Sequence, residues 1–367
     1  MRASGGPHAE DGRAGTVLIL SRYGQLGASS RIRAFDYMPF LRKRGVKVEV
    51  QSLLSDEYLK RKYRGEDTKI LTIASAYWTR MKFLMMADKE AVIWLEKELW
   101  PYVPFAIERM FLSGRKVVID IDDAIFHNYE QHRSAVARHF LKRKLDSLFK
   151  SATLVTAGSG YLARRAIEAG AARVELVPTV VDVNKYQNHQ WSTEQGFTVG
   201  WIGSPATREL LNPVLGVLQQ VLAGRNDRFV TVGSGFGRVL FERHEEWAWG
   251  RETEAQQVAE FDVGIMPLPD RAFERGKCGY KLIQYMACGI PVVAAPVGAN
   301  TDIVRHGENG LLAETNDEWR AALSLLKRDP ELRQKMGEAG RRLVERMYSL
   351  DVTGPKVAKW LAEIANE

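Results

Sequence analysis

Cysteine is scarce: Cys278 and Cys288 are the only two among 367 residues. Two are too few for a disulfide framework or a structural zinc site, and they suit a reducing cytosol. No window reaches the about eighteen consecutive apolar residues of a membrane span. Met1 to Gly15 lacks the apolar segment of a signal peptide, so residues 1–15 are expected to form a frayed, disordered tail. Acidic charge is in deficit, with 52 Lys and Arg against 45 Asp and Glu, and the formal charge of +7 favours polyanionic partners. No recognisable nucleic-acid-binding module accompanies that charge, so no nucleic-acid partner is expected. The dinucleotide fingerprint Gly-x-Gly-x-x-Gly is absent, because Gly24-x-x-Gly27 is too loose. No internal repeat appears at solenoid periods.

What is present describes a globular protein: 45% apolar and 26% charged residues, in a chain long enough for two domains. Thr16–Leu20, a helix from about Ser30 to Arg44, and Val46–Val50 read as a strand-helix-strand unit. Apolar runs recur at Ala91–Trp94, Lys116–Asp120, Ala152–Thr156 and Val174–Val177. A polar break from Gln187 to Gly196 places a hinge, after which Phe197–Ile202, Phe229–Val232, Val263–Met266 and Pro291–Ala295 repeat the rhythm. Alternation of this kind predicts parallel, doubly wound α/β sheets with sites at the strand C-terminal ends. Near the end, Val357, Trp360, Leu361 and Ile364 stand at helical spacing and need a partner surface.

The densest stretch runs from Gly276 to Val293, Gly-Lys-Cys-Gly-Tyr-Lys-Leu-Ile-Gln-Tyr-Met-Ala-Cys-Gly-Ile-Pro-Val-Val, joining a glycine-bearing loop, a short helix and a buried strand. Gly276 and Gly279 let backbone approach a ligand closely, and a helix from near Tyr280 aims unpaired N–H groups and partial positive charge at it. Lys277 and Lys281 add full charges. Taken alone, the same residues also read as an ordinary connection with two solvated lysines.

Neighbouring motifs extend the pattern. Phe261-Asp-Val-Gly-Ile-Met-Pro-Leu268, Tyr285-Met-Ala-Cys-Gly-Ile-Pro-Val-Val293, and the loop from Pro296-Val-Gly298 to His306-Gly-Glu-Asn-Gly-Leu-Leu312 follow one another in order. This order resembles the family 4 glycosyltransferases of the GT-B fold, most closely a bacterial branch whose sugar loop reads Gly-Lys-Cys-Gly-Tyr-Lys. The resemblance implies GT-B architecture, two Rossmann-like doubly wound domains facing a cleft. Residues 16–186 would form the acceptor-side domain, 197–347 the nucleotide-sugar domain, and 348–367 a helix crossing back to the first. It also implies a retaining enzyme with a nucleotide-diphospho-sugar as donor substrate and no cofactor.

Related enzymes carry a Glu-x7-Glu motif, with one glutamate on the sugar and the other on the ribose. By alignment Gly276 takes the first position and Gln284 the second, so both glutamates are missing. Gln284 keeps an amide for ribose hydroxyls. Gly276 offers backbone alone, and Glu274 is a candidate for the vacated space. Cys278, Gly279 and Tyr280 complete the donor loop. With no Asp-x-Asp pair apparent on this side, charge growing on the departing β-phosphate calls for fixed cations and helix N–H groups. Ser204 stands where the family usually has arginine, leaving Lys281 and Lys277, with Arg208 or Arg275, as candidates; solvated surface residues are the alternative. By the same resemblance Asp302 faces the sugar or a ribose, or it caps a helix from Ile303. Glu252 falls where the family holds the base mainly through backbone.

Lys116–Phe126 ends a strand with Asp120, Asp122 and Asp123, a costly cluster unless it faces a solvent-filled cleft or meets cations. By alignment Asp122 replaces a family histidine. Either it or Asp123 can orient or deprotonate an acceptor hydroxyl. Helix capping, pairing with arginines and a divalent metal stay open, and no metal site is assigned. His127 is a second candidate. In the first loop, Gly27, Ser29 and Ser30 contact donor phosphate or acceptor, and Arg31 and Arg33 suit an anionic acceptor; alternatively the serines cap the helix. From Tyr58 to Lys89 basic residues stand beside aromatic and aliphatic ones, which suits an anionic membrane surface or a packed helix with a snorkelling basic face.

The expected function is sugar transfer to a glycan, lipid-linked glycan or small hydroxyl acceptor in bacterial surface polysaccharide or glycolipid synthesis. The expected location is cytoplasmic, including the inner face of the membrane. A catalytically degenerate sugar-nucleotide-binding protein, or an epimerase or phosphorylase on the same fold, are the alternatives.

Overall fold

The computed structural model describes residues 15–67, 69–191, 196–237 and 240–367. The tail expected at the start lies outside these residues except for Gly15, as do residues 192–195 of the polar break. Six strands form the first sheet: β1 (Thr16–Tyr23), β2 (Lys47–Leu54), β3 (Val92–Glu96), β4 (Val117–Ile121), β5 (Leu154–Ala157) and β6 (Val174–Leu176). Six more form the second: β7 (Thr198–Ile202), β8 (Arg228–Val232), β9 (His244–Trp247), β10 (Val263–Met266), β11 (Val292–Ala294) and β12 (Gly310–Leu312). All the pairings are parallel, in the orders β2-β1-β3-β4-β5-β6 and β12-β11-β10-β7-β8-β9. Helices cover both faces of such sheets, which is why β3, β4, β5, β7 and β10 are buried along their whole length and read as apolar runs. The apolar-run signal misses β9 and β12. Both are edge strands, where polar His244-Glu-Glu-Trp and a three-residue segment suffice.

The helix expected over Ser30 to Arg44 is broken. Helix Ala28–Arg33 ends at Ala34 (φ −134°, ψ −57°), a 3-10 turn covers Phe35–Tyr37, and a second helix runs Met38–Lys43 with Pro39 in its first turn. Proline is tolerated there because the first N–H groups of a helix have no intrahelical partner.

In each sheet the strand order reverses beside the first strand, between β1 and β3 and between β7 and β10. Chains diverging at such a point leave a crevice at the carboxyl ends. In the second sheet Tyr285 stitches the divergence: Ile202 N–H donates to its hydroxyl at 3.0 Å, and the hydroxyl reaches the Ile265 carbonyl at 3.4 Å. Room for that ring and for Phe261 comes from Gly264 and Gly200, where a Cβ would overlap Tyr285 and Phe261. The fully buried Tyr285 thereby anchors its helix, Tyr280–Ala287, at the crevice.

The chain passes between the sheets twice, side by side: Val181 N–H donates to the Tyr348 carbonyl and Leu350 N–H to the Val181 carbonyl, at 3.0 and 2.8 Å. Val181, Val183 and Tyr186 are already buried in the core of the second sheet, so this passage precedes the polar break. The last helix, Leu350–Asn366, packs Val357, Leu361 and Ile364 against Val17, Ile19 and Trp94 of the first sheet.

Candidate functional site

A cleft of about 410 Å³ opens where the two reversal points face each other. The first half contributes Leu26, Ala28, Arg31 and Tyr63; the second contributes Gly203 and Ser204 after β7, then Trp249, Glu254, Tyr280, Lys281 and Gln284. Helix Tyr280–Ala287 starts from Gly279 in the left-handed region (φ 67°), and no side chain caps it. The N–H groups of Tyr280 and Lys281 therefore remain as donors toward an anion, while that of Leu282 closes back on the Gly279 carbonyl at 3.0 Å. Lys281 follows immediately, with Nζ 5.0 Å above the Trp201 ring. Burial, reinforced by the nearby Lys277 charge, pushes its pKa down to about 7 against the pull of Asp123. A cation held at such a cost is poised to gain from an anionic ligand. Gly203 lets it lie close to the strand end, since a Cβ there would meet Lys281 Cε at 2.9 Å.

Arg31, 4% exposed, reaches across from the first half, its Nη2 3.3 Å from Glu254 Oε1. Its guanidinium lies 5.8 Å from the Trp249 ring centroid, and the Trp249 indole donates to Glu254 Oε2 at 2.8 Å. Burial raises the Glu254 carboxyl's pKa despite Arg31. Glu252, two residues earlier, is exposed, and spacing cannot tell which of two glutamates a turn directs inward. The sequence offers Arg31 to an anionic acceptor; its pairing with Glu254, 223 positions away, has no local signal.

The aspartates form a second cluster. Asp120 is committed to the core: Arg33 grips both its oxygens, at 2.9 and 2.6 Å. Asp122 and Asp123 share the Lys97 ammonium, at 2.8 and 3.0 Å. Burial alone would raise the Asp122 pKa, but Lys97, Arg33 and the Ser29 hydroxyl outweigh it and hold the carboxyl below its ordinary value. Asp122 is thus a paired anion, poorly suited as a free base, whereas the Asp123 side chain is 31% exposed. Lys97 was missed. It sits in the left-handed region (φ 65°), a strained choice for lysine that places its chain under the aspartates.

The capping expected of the first-loop serines does not form. Ser29 and Ser30 do not cap the helix, which begins at Ala28 from Gly27; Ser29 donates to Asp122 and Ser30 to Glu96. Gly27 is required by crowding, as a Cβ would meet Tyr23 Cβ at 2.5 Å, while its neighbours Leu26 and Ala28 line the cleft. Arg208 turns away to the Gly235 carbonyl, and Arg275 pairs with Asp270. Gln284 donates its amide to the Tyr186 hydroxyl at 3.1 Å while still lining the cleft. Glu274 lies on helix Ala272–Arg275 outside the cleft lining. Gly276 is pressed against the first half, where a Cβ would overlap Ala124. Lys277 lies over the Phe273 ring at 5.1 Å, and Cys278 is buried against Asp122. Asp302 is exposed within helix Asn300–Ile303, neither capping it nor lining the cleft. His127 is held between Glu130 and Tyr161, at 2.7 and 2.8 Å.

Comparison with solved structures decides the architecture. HepE of Anabaena, solved in complex with UDP, superposes with a TM-score of 0.67 at 16% identity, covering 95% of this chain and 100% of that one. Sucrose-phosphate synthase from Thermosynechococcus elongatus reaches 0.71 at 14% identity, covering 95% and 99%. The fold is GT-B.

Within this GT-B chain, residues 268–343 match the family model described as Glycosyl transferases group 1. That span includes the glycine loop and the helix carrying Lys281. N-acetyl-alpha-D-glucosaminyl L-malate synthase of Bacillus anthracis is 36% identical over 78 residues, 20% of each chain. D-inositol 3-phosphate glycosyltransferase of Jonesia denitrificans is 34% identical over 94 residues, 25% of this chain and 21% of that one. The chain spans about a fifth of the length of the curated relatives it matches.

Proposed function

We propose that the protein is a retaining glycosyltransferase of family 4 type, moving a sugar from a nucleotide-diphosphate donor to a glycan, lipid-linked glycan or small hydroxyl acceptor. The observation that carries the reading is Lys281: a cation with its pKa pushed down to about 7, beside an uncapped helix start, in the crevice between two GT-B sheets. The match of residues 268–343 to the group 1 model covers that same element.

In this reading the diphosphate lies against the first N–H groups of helix Tyr280–Ala287 and the Lys281 ammonium. As the bond from sugar C1 to phosphate oxygen breaks, its electron pair leaves with the diphosphate, which these fixed donors stabilise, while the acceptor oxygen bonds to C1 and its proton passes to the departing phosphate oxygen. Ser204, Tyr280 and Gln284, which line the cleft, face the donor in this reading, Gly279 turns the chain into the helix behind them, and Trp249 offers a flat apolar face to the nucleoside. UDP is the first nucleotide to test, since HepE of Anabaena was solved with it. Asp123 accepts a hydrogen bond from the acceptor hydroxyl, and Asp122 fixes the strand end through Lys97 and Ser29. The donor is a substrate and no cofactor is assigned. The product chemistry fits surface polysaccharide or glycolipid assembly at the cytoplasmic face of a bacterial membrane.

A second reading, a donor-binding protein without turnover, draws on the absent glutamate pair and the commitment of Gln284 to Tyr186. Calorimetry with nucleotide diphosphates and their sugars, followed by product analysis with candidate acceptors, separates the readings. Selective binding and a glycosylated product support transfer, binding with neither transfer nor hydrolysis supports the second reading, and no binding sinks both.

A further inference from the structure

Helix Ala28–Arg33 carries four polar side chains, and they do not share a destination. Ser29 donates to Asp122, Ser30 to Glu96, and Arg33 grips Asp120, so three of the four are used on strand ends of the first sheet. Arg31 alone turns across the cleft, to Glu254 and the Trp249 ring of the second half. That pairing is unfinished in two ways. Its Nη2 stands 3.3 Å from Glu254 Oε1, whereas a charge-assisted hydrogen bond closes to about 2.7–2.9 Å. Its Nη1 is buried without any hydrogen-bond partner. A buried ion pair offsets the cost of its desolvation only when the remaining donors are satisfied, and a guanidinium keeps its charge at every working pH. Arg31 also has room beside it, because it borders both the cleft and a second cavity of about 300 Å³ that Asp36, Lys185 and Arg251 help to line.

We infer that Arg31 is a diphosphate-binding residue supplied by the first half, parked on Glu254 until the donor binds. The inference rests on the donor reading above and adds a ligand from the opposite wall. A diphosphate esterified at both ends carries a charge on each phosphate, and Lys281 supplies one ammonium to match them. Arg31 lines the same cleft as Lys281, and its fork can take two phosphate oxygens at once. Exchanging a long contact to a carboxylate for short bonds to phosphate costs the guanidinium little and gives Nη1 a partner. The acceptor side has no such call on Arg31, since its helix neighbours Ser29 and Arg33 are the residues that reach the aspartates. A diphosphate held by Arg31 and Lys281 together is held by both halves, so donor binding ties them to each other at the cleft.

The test is calorimetric titration of the full chain with UDP, GDP and ADP, beside thermal shift with the phosphate-free nucleoside uridine. Arg31→Gln should weaken the preferred diphosphate at least about tenfold and leave the response to uridine unchanged. Glu254→Gln should tighten diphosphate binding about threefold, because phosphate no longer competes with a carboxylate for the guanidinium. The double variant removes both charges together and leaves no ion unmatched, so it should fold and bind diphosphate as Arg31→Gln does. It carries the measurement if Arg31→Gln alone is unstable. An undiminished diphosphate affinity without Arg31, an equal loss of uridine binding, or weaker diphosphate binding by Glu254→Gln overturns the proposal. Parent binding that ignores Arg31 leaves the donor reading standing and removes this residue from it. No diphosphate binding by the parent removes the donor reading itself, and this inference with it.

Discussion

The Cys278 thiol donates to the Asp122 carbonyl at 3.0 Å, joining residues 156 positions apart. This contact sets the glycine loop of the second sheet against the end of β4 in the first and brings it beside the aspartates. It also buries the thiol, and burial, with the Asp122 charge adding to it, pushes its pKa far above that of a free cysteine. Cys288 is likewise buried and raised to about 12. Neither should react with a thiol-specific chromogenic disulfide in the native protein, and both should react after denaturation. Rapid native labelling of Cys278 would mean that the two halves part readily in solution.

Lys281 should make donor binding pH-dependent. Its pKa of about 7 in the free protein should rise when a diphosphate binds, because the anion stabilises the charged form. Affinity is then fully expressed below about 7 and declines as pH rises above it, with protons taken up on binding in that alkaline range. Calorimetry in buffers of different ionisation enthalpy reads the uptake. Lys281→Arg should bind with little pH dependence and no uptake, and Lys281→Ala should lose on the order of a hundredfold in turnover. Identical pH profiles for parent and Arg variant would remove Lys281 from this role.

A glutamate at Gly276, where the enzymes that the sequence resembles carry one, should not create a sugar contact. The Cβ direction at this position is filled by Ala124 of the first half. Gly276→Glu must push the halves apart and should lower turnover more than Gly276→Ala does. Higher turnover in the glutamate variant would show that the space is open in the working enzyme.

Lys97→Met removes the shared cation under Asp122 and Asp123. Leaving a buried carboxylate unmatched should cost about 3 kcal/mol or more of stability near neutrality. The sign with pH follows from the depressed Asp122 value: the stability it confers is present above the ordinary carboxylate range and lost as pH falls through the folded-state value. The variant should lose that acid-side slope and recover toward the parent at low pH. Denaturant unfolding at several pH values checks it, and a pH-independent difference would point to packing alone.

Much of the fold is legible in the residue pattern, because parallel strands buried on both faces must be apolar runs. Thr198–Ile202 and Val263–Met266 announce themselves this way. His244–Trp247 does not, because an edge strand needs only one partner. At the cleft, the loop-helix start and the charge of Lys281 stand out in the sequence, since glycine and charge before a helix act locally. Glu254, Lys97 and the turning of Gln284 to Tyr186 were invisible, because each depends on a partner far along the chain or across the cleft.

The sequence by itself determined two rounds of parallel α/β alternation and the position of a glycine-bearing loop at a helix start, because strand burial and helix N-termini are set by near neighbours. Only the tertiary structure decided which charges are spent inside the protein and which remain for a ligand. Asp120 is matched by Arg33, Asp122 by Lys97, and Arg31 meets Glu254, while Lys281 is left facing the cleft at a depressed pKa. Charge pairing falls off over a few ångströms in space and is blind to sequence separation, so it exists only once the two halves have met.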